Sequence, residues 1–195
     1  MSSKDFILEK YRRNVANNCE MPRLDDIAAL TYSDPIIQFI DITQANGSRL
    51  VEVKPDDDLN RVITDCYPEA KTIASALPEI TIANRNPDKV KYARELDGTD
   101  VGVVRAQLGV AENGCMWIPQ QCKEKAVQFI SENLVVILPR TAIVNNMHEA
   151  YRRIEFGAYN FGTFIAGPSK TADIAQVLVL GAQAARSCTV VLVNE

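Results

Sequence analysis

The sequence contains a single histidine, His148, and no two cysteines in the C-x-x-C spacing. One histidine cannot build a histidine-rich metal site, and His148 lies off the apolar face of its predicted helix, which argues against a Ser–His–Asp triad. The five cysteines are scattered, so neither a zinc ribbon nor an iron–sulfur ligand run is encoded. We therefore expect no bound metal and no cofactor.

Long apolar runs and an excess of positive charge are also lacking. The longest apolar runs, such as residues 134–138, are far shorter than the roughly 20 residues that a membrane-spanning helix needs. A net charge of −4 and a pI near 5.2 argue against contacts with nucleic-acid phosphates. The first residues also lack the pattern of a signal peptide. We therefore expect a cytoplasmic protein with no nucleic-acid or membrane partner.

What the chain does contain is the composition of an ordinary globular domain. It has 195 residues, of which 47% are hydrophobic and 24% charged, enough to bury a sizeable core without disulfides. The first apolar residues follow a helical spacing of their own. We predict an N-terminal helical extension over residues 1–32 and one α/β domain over residues 33–195.

Hydrophobic periodicity and turn residues predict alternating helices and strands. The predicted helices cover about residues 3–16, 35–45, 59–66, 87–95, 121–132 and 146–154, and another opens at about Thr171. The predicted strands include residues 50–53, 72–74, 101–104, 108–111, 115–118, 134–138, 163–166 and 189–193. Because several strands are continuously apolar, the pattern indicates a mostly parallel sheet covered by helices on both faces, a single three-layer α/β domain.

The first candidate site is the segment from Gly167 to Asp173. Ligands of open α/β sheets bind beyond the carboxyl ends of strands, and Gly167 ends a predicted strand just before a predicted helix. Ser169, Lys170 and Thr171 would bring two hydroxyls and an ammonium group to that helix start, where free N–H groups suit a phosphate or carboxylate. The alternative is a capped helix start that binds nothing.

The second candidate site is the turn Glu112-Asn113-Gly114. Asn-Gly between two apolar runs is a strong hairpin signal. A carboxylate in such a turn, if partly desolvated, has a raised pKa and suits a nucleophile or a general base. The alternative is an ordinary solvated turn.

Residues 167–174, followed by the apolar runs 177–181 and 190–193, resemble the C-terminal signature of the LUD-domain family. The stretch from Asp97 through Gly102 to Gly114 is similar to that family's second block, in which an aspartate-valine-glycine strand precedes an alanine-glutamate-x-glycine turn. Two positions depart from the pattern. Residues 182–185 replace a valine-histidine-glycine-proline run, and Cys115 replaces a common threonine.

The resemblance implies a fold similar to the ribose-phosphate isomerase, glucosamine-phosphate deaminase and CoA-transferase group, which binds small anionic metabolites. It also implies a role in oxidising lactate to pyruvate, as a non-redox component of a complex whose other subunits carry iron–sulfur clusters. On this hypothesis Glu112, Asn113, Gly114, Gly167, Ser169, Lys170, Thr171 and Asp173 line the ligand site. Self-association into a homo-oligomer is compatible with this role.

Two alternatives to the accessory role stay open. The turn from Ala111 to Gly114 is similar to the serine-glutamate-asparagine-glycine turn of CoA transferases, which implies Glu112 as the nucleophile of an acyl or CoA transferase. The other alternative is a regulatory subunit that performs no catalysis.

Overall fold

The computed structural model of the protein describes residues 2–15, 28–158, 160–171, 178–182 and 185–194. The helices within these ranges are α1 (Ser3–Asn14), α2 (Pro35–Ala45), α3 (Leu59–Cys66), α4 (Val127–Ile130) and α5 (Met147–Arg153). The strands are β1 (Arg49–Val53), β2 (Ile73–Ala74), β3 (Val101–Arg105), β4 (Leu108–Val110), β5 (Met116–Pro119), β6 (Asn133–Pro139), β7 (Ile143–Val144), β8 (Gly162–Ile165), β9 (Lys170–Thr171), β10 (Val179–Leu180) and β11 (Ser187–Val193). Two short 3-10 helices cover Ala93–Leu96 and Arg140–Ala142.

The helix that precedes β1 is set by its own sequence. The Asp34 side chain accepts hydrogen bonds from the backbone N–H groups of Ile36 and Ile37, and Pro35 occupies the first turn, where no N–H is needed. α2 spans Pro35–Ala45, so the predicted bounds are confirmed. These local signals also fix where β1 begins, four residues after the helix ends.

Five parallel strands form the central sheet in the order β1-β11-β6-β3-β2. Residues 134–138 of β6 are all buried, as are residues 188–192 of β11. Strands covered on both faces read as continuous apolar runs, which is why these two segments lack alternation. The prediction of a mostly parallel sheet is confirmed.

Alternate residues of these strands belong to two separate apolar clusters, one on each face of the sheet. One cluster contains Leu134 and Val136 together with Phe39 of α2 and Val127 of α4. The other contains Val135 with Ile63 of α3. Helices therefore cover both faces, and the expected three-layer α/β class is confirmed.

A second sheet, which the sequence analysis did not predict, packs beside the first in the order β7-β4-β5-β8. β4 and β5 form the predicted hairpin, with Leu108 opposite Trp117, and β8 pairs with β5 in antiparallel orientation. Met116 and Ile118 face the central core, whereas Trp117 packs in a third cluster with Ala150 of α5. The predicted strand at residues 163–166 therefore belongs to this second sheet.

Two predicted helices differ from the structure. Helical geometry within residues 121–132 is confined to α4, because the Gln120 side chain donates to the carbonyls of Cys122 and Lys123 and holds the preceding segment in turns. Residues 87–95 form a short 3-10 turn only at Ala93–Leu96. Thr171 is a strand residue of β9, and the rest of the helix predicted to open at about Thr171 lies outside the described residues.

The leading helix α1 begins with a capping box between Ser2 and Asp5, and none of its residues is buried. Because residues 16–27 lie outside the described ranges, the boundary between the N-terminal extension (residues 1–32) and the α/β domain stays a prediction. No helix in the described part of the chain is long and apolar enough to cross a membrane.

Gly102 in β3 is required by the close approach of α4. A Cβ at Gly102 would lie 2.8 Å from the Val127 carbonyl oxygen and 2.4 Å from the Ser131 hydroxyl oxygen. We expect Gly102→Ala to lower the free energy of unfolding by about 1–3 kcal/mol, because α4 must shift from the sheet. Gly157→Ala is the matched control, since a Cβ at Gly157 meets nothing within 4 Å. Equal urea midpoints for the two variants would contradict this account.

Candidate functional site

The two candidate turns meet on a third segment, the connection Asn46–Ser48 between α2 and β1. The side-chain amide of Asn46 donates a hydrogen bond of 2.8 Å to the backbone carbonyl of Asn113. Gly114 has a φ of 71°, and a Cβ there would lie 2.9 Å from the Asn46 amide nitrogen. Only glycine adopts this backbone and leaves room for the amide. The hairpin turn is therefore fitted closely against Asn46.

The second turn packs against the same connection. Gly167 has a φ of 121°, and a Cβ there would lie 3.2 Å from the Asn46 carbonyl oxygen and 3.0 Å from the Ser48 hydroxyl oxygen. Pro168 approaches Gly47 closely enough that a Cβ on that glycine would be in van der Waals contact at 3.6 Å. We call the meeting point of Asn46–Ser48, Glu112–Gly114 and Gly167–Ser169 the turn junction.

The remaining described residues of the first candidate site lie on a small hairpin that follows the turn junction. Lys170 and Thr171 form β9, which pairs with Leu180 and Val179 of β10. The Ser169 backbone is held at both ends: its N–H donates to the Ala185 carbonyl and its carbonyl accepts from the Gly181 N–H, each at 2.9 Å. Asp173 lies outside the described residues.

The turn junction lies at the amino edge of the parallel sheet, and the expectation that Gly167 follows a parallel strand is wrong. β8 pairs antiparallel with β5 and is not part of the central sheet. Ser169 instead bonds to Ala185, two residues before β11, and Ser48 directly precedes β1. The rule that places ligands at carboxyl ends of parallel strands therefore does not apply to this turn.

Two buried hydroxyls stand at the turn junction without an ordinary hydrogen-bond partner among the described residues, those of Thr43 and Ser48. Thr43 is 1% exposed and its backbone nitrogen faces Gly114. Ser48 lies beside the Cys188 thiol, a weak acceptor; burial raises the pKa of Cys188 to about 11, and Ser48 partly offsets that rise. Buried polar atoms normally find partners, so these two hydroxyls are exceptions that lie next to both candidate turns.

Sequence reasoning missed the Asn46–Ser48 connection altogether. The available signal was the dipeptide Asn46-Gly47, which was interpreted only as the end of α2. A helix-to-strand turn of this kind contains nothing that points to two distant segments. The contacts with residues 112–114 and 167–169 come from tertiary structure alone.

The Glu112 carboxylate already accepts a hydrogen bond within the structure. Its Oε2 accepts a 2.9 Å hydrogen bond from the Met147 N–H at the first turn of α5, and the Glu112 N–H donates to the Asn145 carbonyl. Asn113 Oδ1 accepts from the Cys115 N–H, and burial raises the pKa of the Cys115 thiol to about 12. The turn is thus built from mutually bonded groups, and Cys115 is no nucleophile near neutral pH.

At the carboxyl edge of the parallel sheet the structure has a separate pocket of about 440 Å³. Lys54 follows β1, Arg105 ends β3, and three carboxylates line the same space, those of Asp57, Asp58 and Glu79. Burial tends to raise the pKa of Glu79, but its hydrogen bond from Arg105 holds that pKa below the usual value. Two positive charges against three negative ones do not favour an anion here.

Across the described part of the chain, no group of three or more histidine, cysteine, aspartate or glutamate side chains is arranged to hold a metal ion.

Comparison with known proteins places the sequence among described families. A family model for the LUD domain matches residues 77–193. That range contains both candidate turns and excludes the Asn46–Ser48 connection.

Curated relatives carry the name lactate utilization protein C. The protein of that name from Geobacillus thermodenitrificans is 24% identical over 156 residues, which is 73% of this chain and 62% of the relative. The one from Shouchella clausii is 26% identical over 116 residues, which is 56% of this chain and 51% of the relative. The chain thus spans between half and two thirds of the length of these relatives.

Among solved structures, the crystal structure of a DUF162 family protein from Deinococcus radiodurans is similar, with a TM-score of 0.65. It covers 85% of this chain and 99% of its own chain at 14% identity. At this identity the similarity supports the fold alone.

The contact of Glu112 with α5 gives a stability prediction. Glu112→Ala removes the acceptor at the helix start, so we expect the free energy of unfolding to fall by about 1 kcal/mol. Glu112→Gln keeps an acceptor oxygen and should lose less. Chemical denaturation measures both, with the exposed Glu69→Ala as control. If Glu112→Ala proves as stable as Glu69→Ala, the hydrogen bond to Met147 does not hold α5 in place.

Proposed function

This chain belongs to the LUD-domain family, and we propose that it acts in the cytoplasm as an accessory subunit that binds a small organic acid during the oxidation of lactate or a related acid. The names of its curated relatives support this proposal. In this role the chain supplies ligand binding, whereas iron–sulfur oxidoreductase subunits accept the electrons. Because the chain spans only part of those relatives, the whole activity of such a complex is part of the proposal.

The turn junction is the proposed ligand site, and the contacts of Asn46 with both candidate turns carry the proposal. The Asn46 side-chain amide donates to the Asn113 carbonyl, while the Asn46 backbone carbonyl lies against Gly167. Two segments more than 50 residues apart therefore share one wall, next to the buried hydroxyls of Thr43 and Ser48. Convergence of polar groups from separate segments is typical of small-molecule sites.

Charge and hydrogen-bonding capacity favour a carboxylate or phosphate as the ligand. Lys170 is exposed on β9, directly after Ser169, and would pair with the anion. Ser169 and Thr171 would donate hydroxyl hydrogen bonds, and the side chain of Asn113 is exposed at the opposite turn. Asp173, predicted to orient this segment, lies outside the described residues.

The geometry does not favour the acyl or CoA transferase alternative. A nucleophilic carboxylate must be able to leave its ground-state partners and attack a thioester. Glu112 instead bonds through Oε2 to the backbone of Met147 and sits between Asn145 and the α5 start. That contact accounts for a glutamate at this position without a covalent role.

Removing the Lys170 charge tests the proposed function. We expect wild-type protein to bind lactate, pyruvate or inorganic phosphate in isothermal titration calorimetry, and Lys170→Ala to bind it at least about tenfold more weakly, because a charge-assisted hydrogen bond is lost. The matched control is Lys89→Ala, which removes an exposed lysine from a different loop.

Asn46→Ala extends the same experiment to the wall shared by both turns. It should weaken the binding of the same anion while the hydrogen-bonded hairpin of β4 and β5 keeps its fold. Should Lys170→Ala and Asn46→Ala bind each of these anions as tightly as Lys89→Ala does, the turn junction is not the ligand site.

A further inference from the structure

The leading helix α1 carries a stripe of apolar side chains that stays exposed in the described structure. Ile7, Tyr11 and Val15 recur at four-residue intervals and Leu8 lies beside them, so the four side chains share one side of the helix. We call these four residues the α1 stripe. Ile7 and Tyr11 are 64% and 69% exposed. A helix of 12 residues is marginal in water by itself, so packing of this stripe against another surface would stabilise it.

Two opposite charges flank the α1 stripe on the same side. Asp5 lies in the first turn and Arg12 in the last, and the seven residues between them amount to almost two full turns. Asp5 accepts from Ser2 through Oδ2 only, and Glu9 pairs with Arg13. Among the described residues Arg12 has no ion-pair partner. The stripe therefore has a negative flank at its start and a positive one at its end.

This distribution of charge is complementary to itself in an antiparallel pair of α1 helices. When Leu8 lies opposite Tyr11 of a second copy, Asp5 of one helix comes within one turn of Arg12 of the other, and a two-fold axis repeats the contact. In a parallel pair the same two residues would be about 10 Å apart along the axis. Opposed helix dipoles also favour the antiparallel arrangement.

Lys4 favours the same direction of pairing. It lies in line with the α1 stripe, four residues before Leu8 and seven before Tyr11. A parallel pair would place the two Lys4 ammonium groups side by side, and their repulsion opposes association. An antiparallel pair places each Lys4 beside Val15 of the other copy, at the end of the pair, where the ammonium group still reaches water.

We propose that α1 is a dimerisation element, which pairs in antiparallel orientation with α1 of a second copy of this chain through the α1 stripe and two Asp5–Arg12 ion pairs. The contact is isologous, because the same surface serves both copies. Two 12-residue helices bury less than a standard interface does, so the expected Kd is on the order of 10–100 µM. The contact uses none of the residues of the turn junction and goes beyond the proposed function.

Sedimentation velocity of the full chain at about 5 to 500 µM measures the pairing across the expected Kd. We expect a monomer–dimer equilibrium whose Kd rises at least about fivefold in Tyr11→Ala, because each dimer loses two central side chains. Phe6→Ala is the matched control. Phe6 is 61% exposed on the same helix but lies off the α1 stripe, so this variant should dimerise as the wild type does.

Charge reversal tests the direction of pairing. Arg12→Glu places a carboxylate near Asp5 of the second copy, so its Kd should rise about threefold or more at low salt and by less at high salt. Lys10→Glu makes the same change of charge on the other flank of α1, opposite Asn14 of the second copy, and should have a smaller effect. A Kd for Arg12→Glu no higher than that for Lys10→Glu would contradict the antiparallel pair.

Two further results would overturn the proposal. One is a monomer at every concentration up to about 500 µM. The other is a dimer that Tyr11→Ala weakens no more than Phe6→Ala does. Because no residue of α1 is buried, all four variants should keep the urea midpoint of the wild type, which separates a lost dimer from a lost fold. Lys170→Ala should dimerise normally, which keeps this test distinct from that of the organic-acid site.

Discussion

The constraint on which the structure depends is that β6 and β11 are buried on both faces. Residues 134–138 and 188–192 alternate between two apolar clusters, so each strand must be covered by helices above and below. A one-residue slip in register would exchange those clusters. β1 pairs with β11 in a parallel register in which Arg49 lies opposite Thr189. This register consequently fixes the point along β11 at which the connection Asn46–Ser48 enters the sheet.

That register explains why the candidate site lies at the amino edge of the central sheet. Ser48 enters β1 beside the start of β11, and Ser169 is bonded to Ala185 just before β11 begins. The second sheet delivers the turn at Glu112–Gly114 to the same place, where Asn46 donates to Asn113. The carboxyl-edge pocket, the customary ligand position in parallel sheets, instead has its Arg105 guanidinium paired with Glu79.

The sequence correctly predicts those helices and strands whose bounds depend on neighbouring residues. α2 was predicted to the residue because Asp34 and Pro35 define its start, and the buried strands were readable as continuous apolar runs. The orientation of β8 was not readable, because Trp117 of its antiparallel partner β5 lies 47 residues before Phe164 and only tertiary packing pairs them. For the same reason the residue types of both candidate turns were recognised in the sequence, whereas Asn46, which joins them, was not.

The most direct test of a ligand site at the turn junction is amide chemical-shift mapping of ¹⁵N-labelled protein titrated with lactate, pyruvate and phosphate. The account predicts that the backbone amides of Asn46, Gly114, Gly167 and Ser169 shift together, with one common dissociation constant, although they come from three segments of the chain. Shifts confined to residues around Lys54 and Arg105 would place the ligand at the carboxyl edge and contradict it.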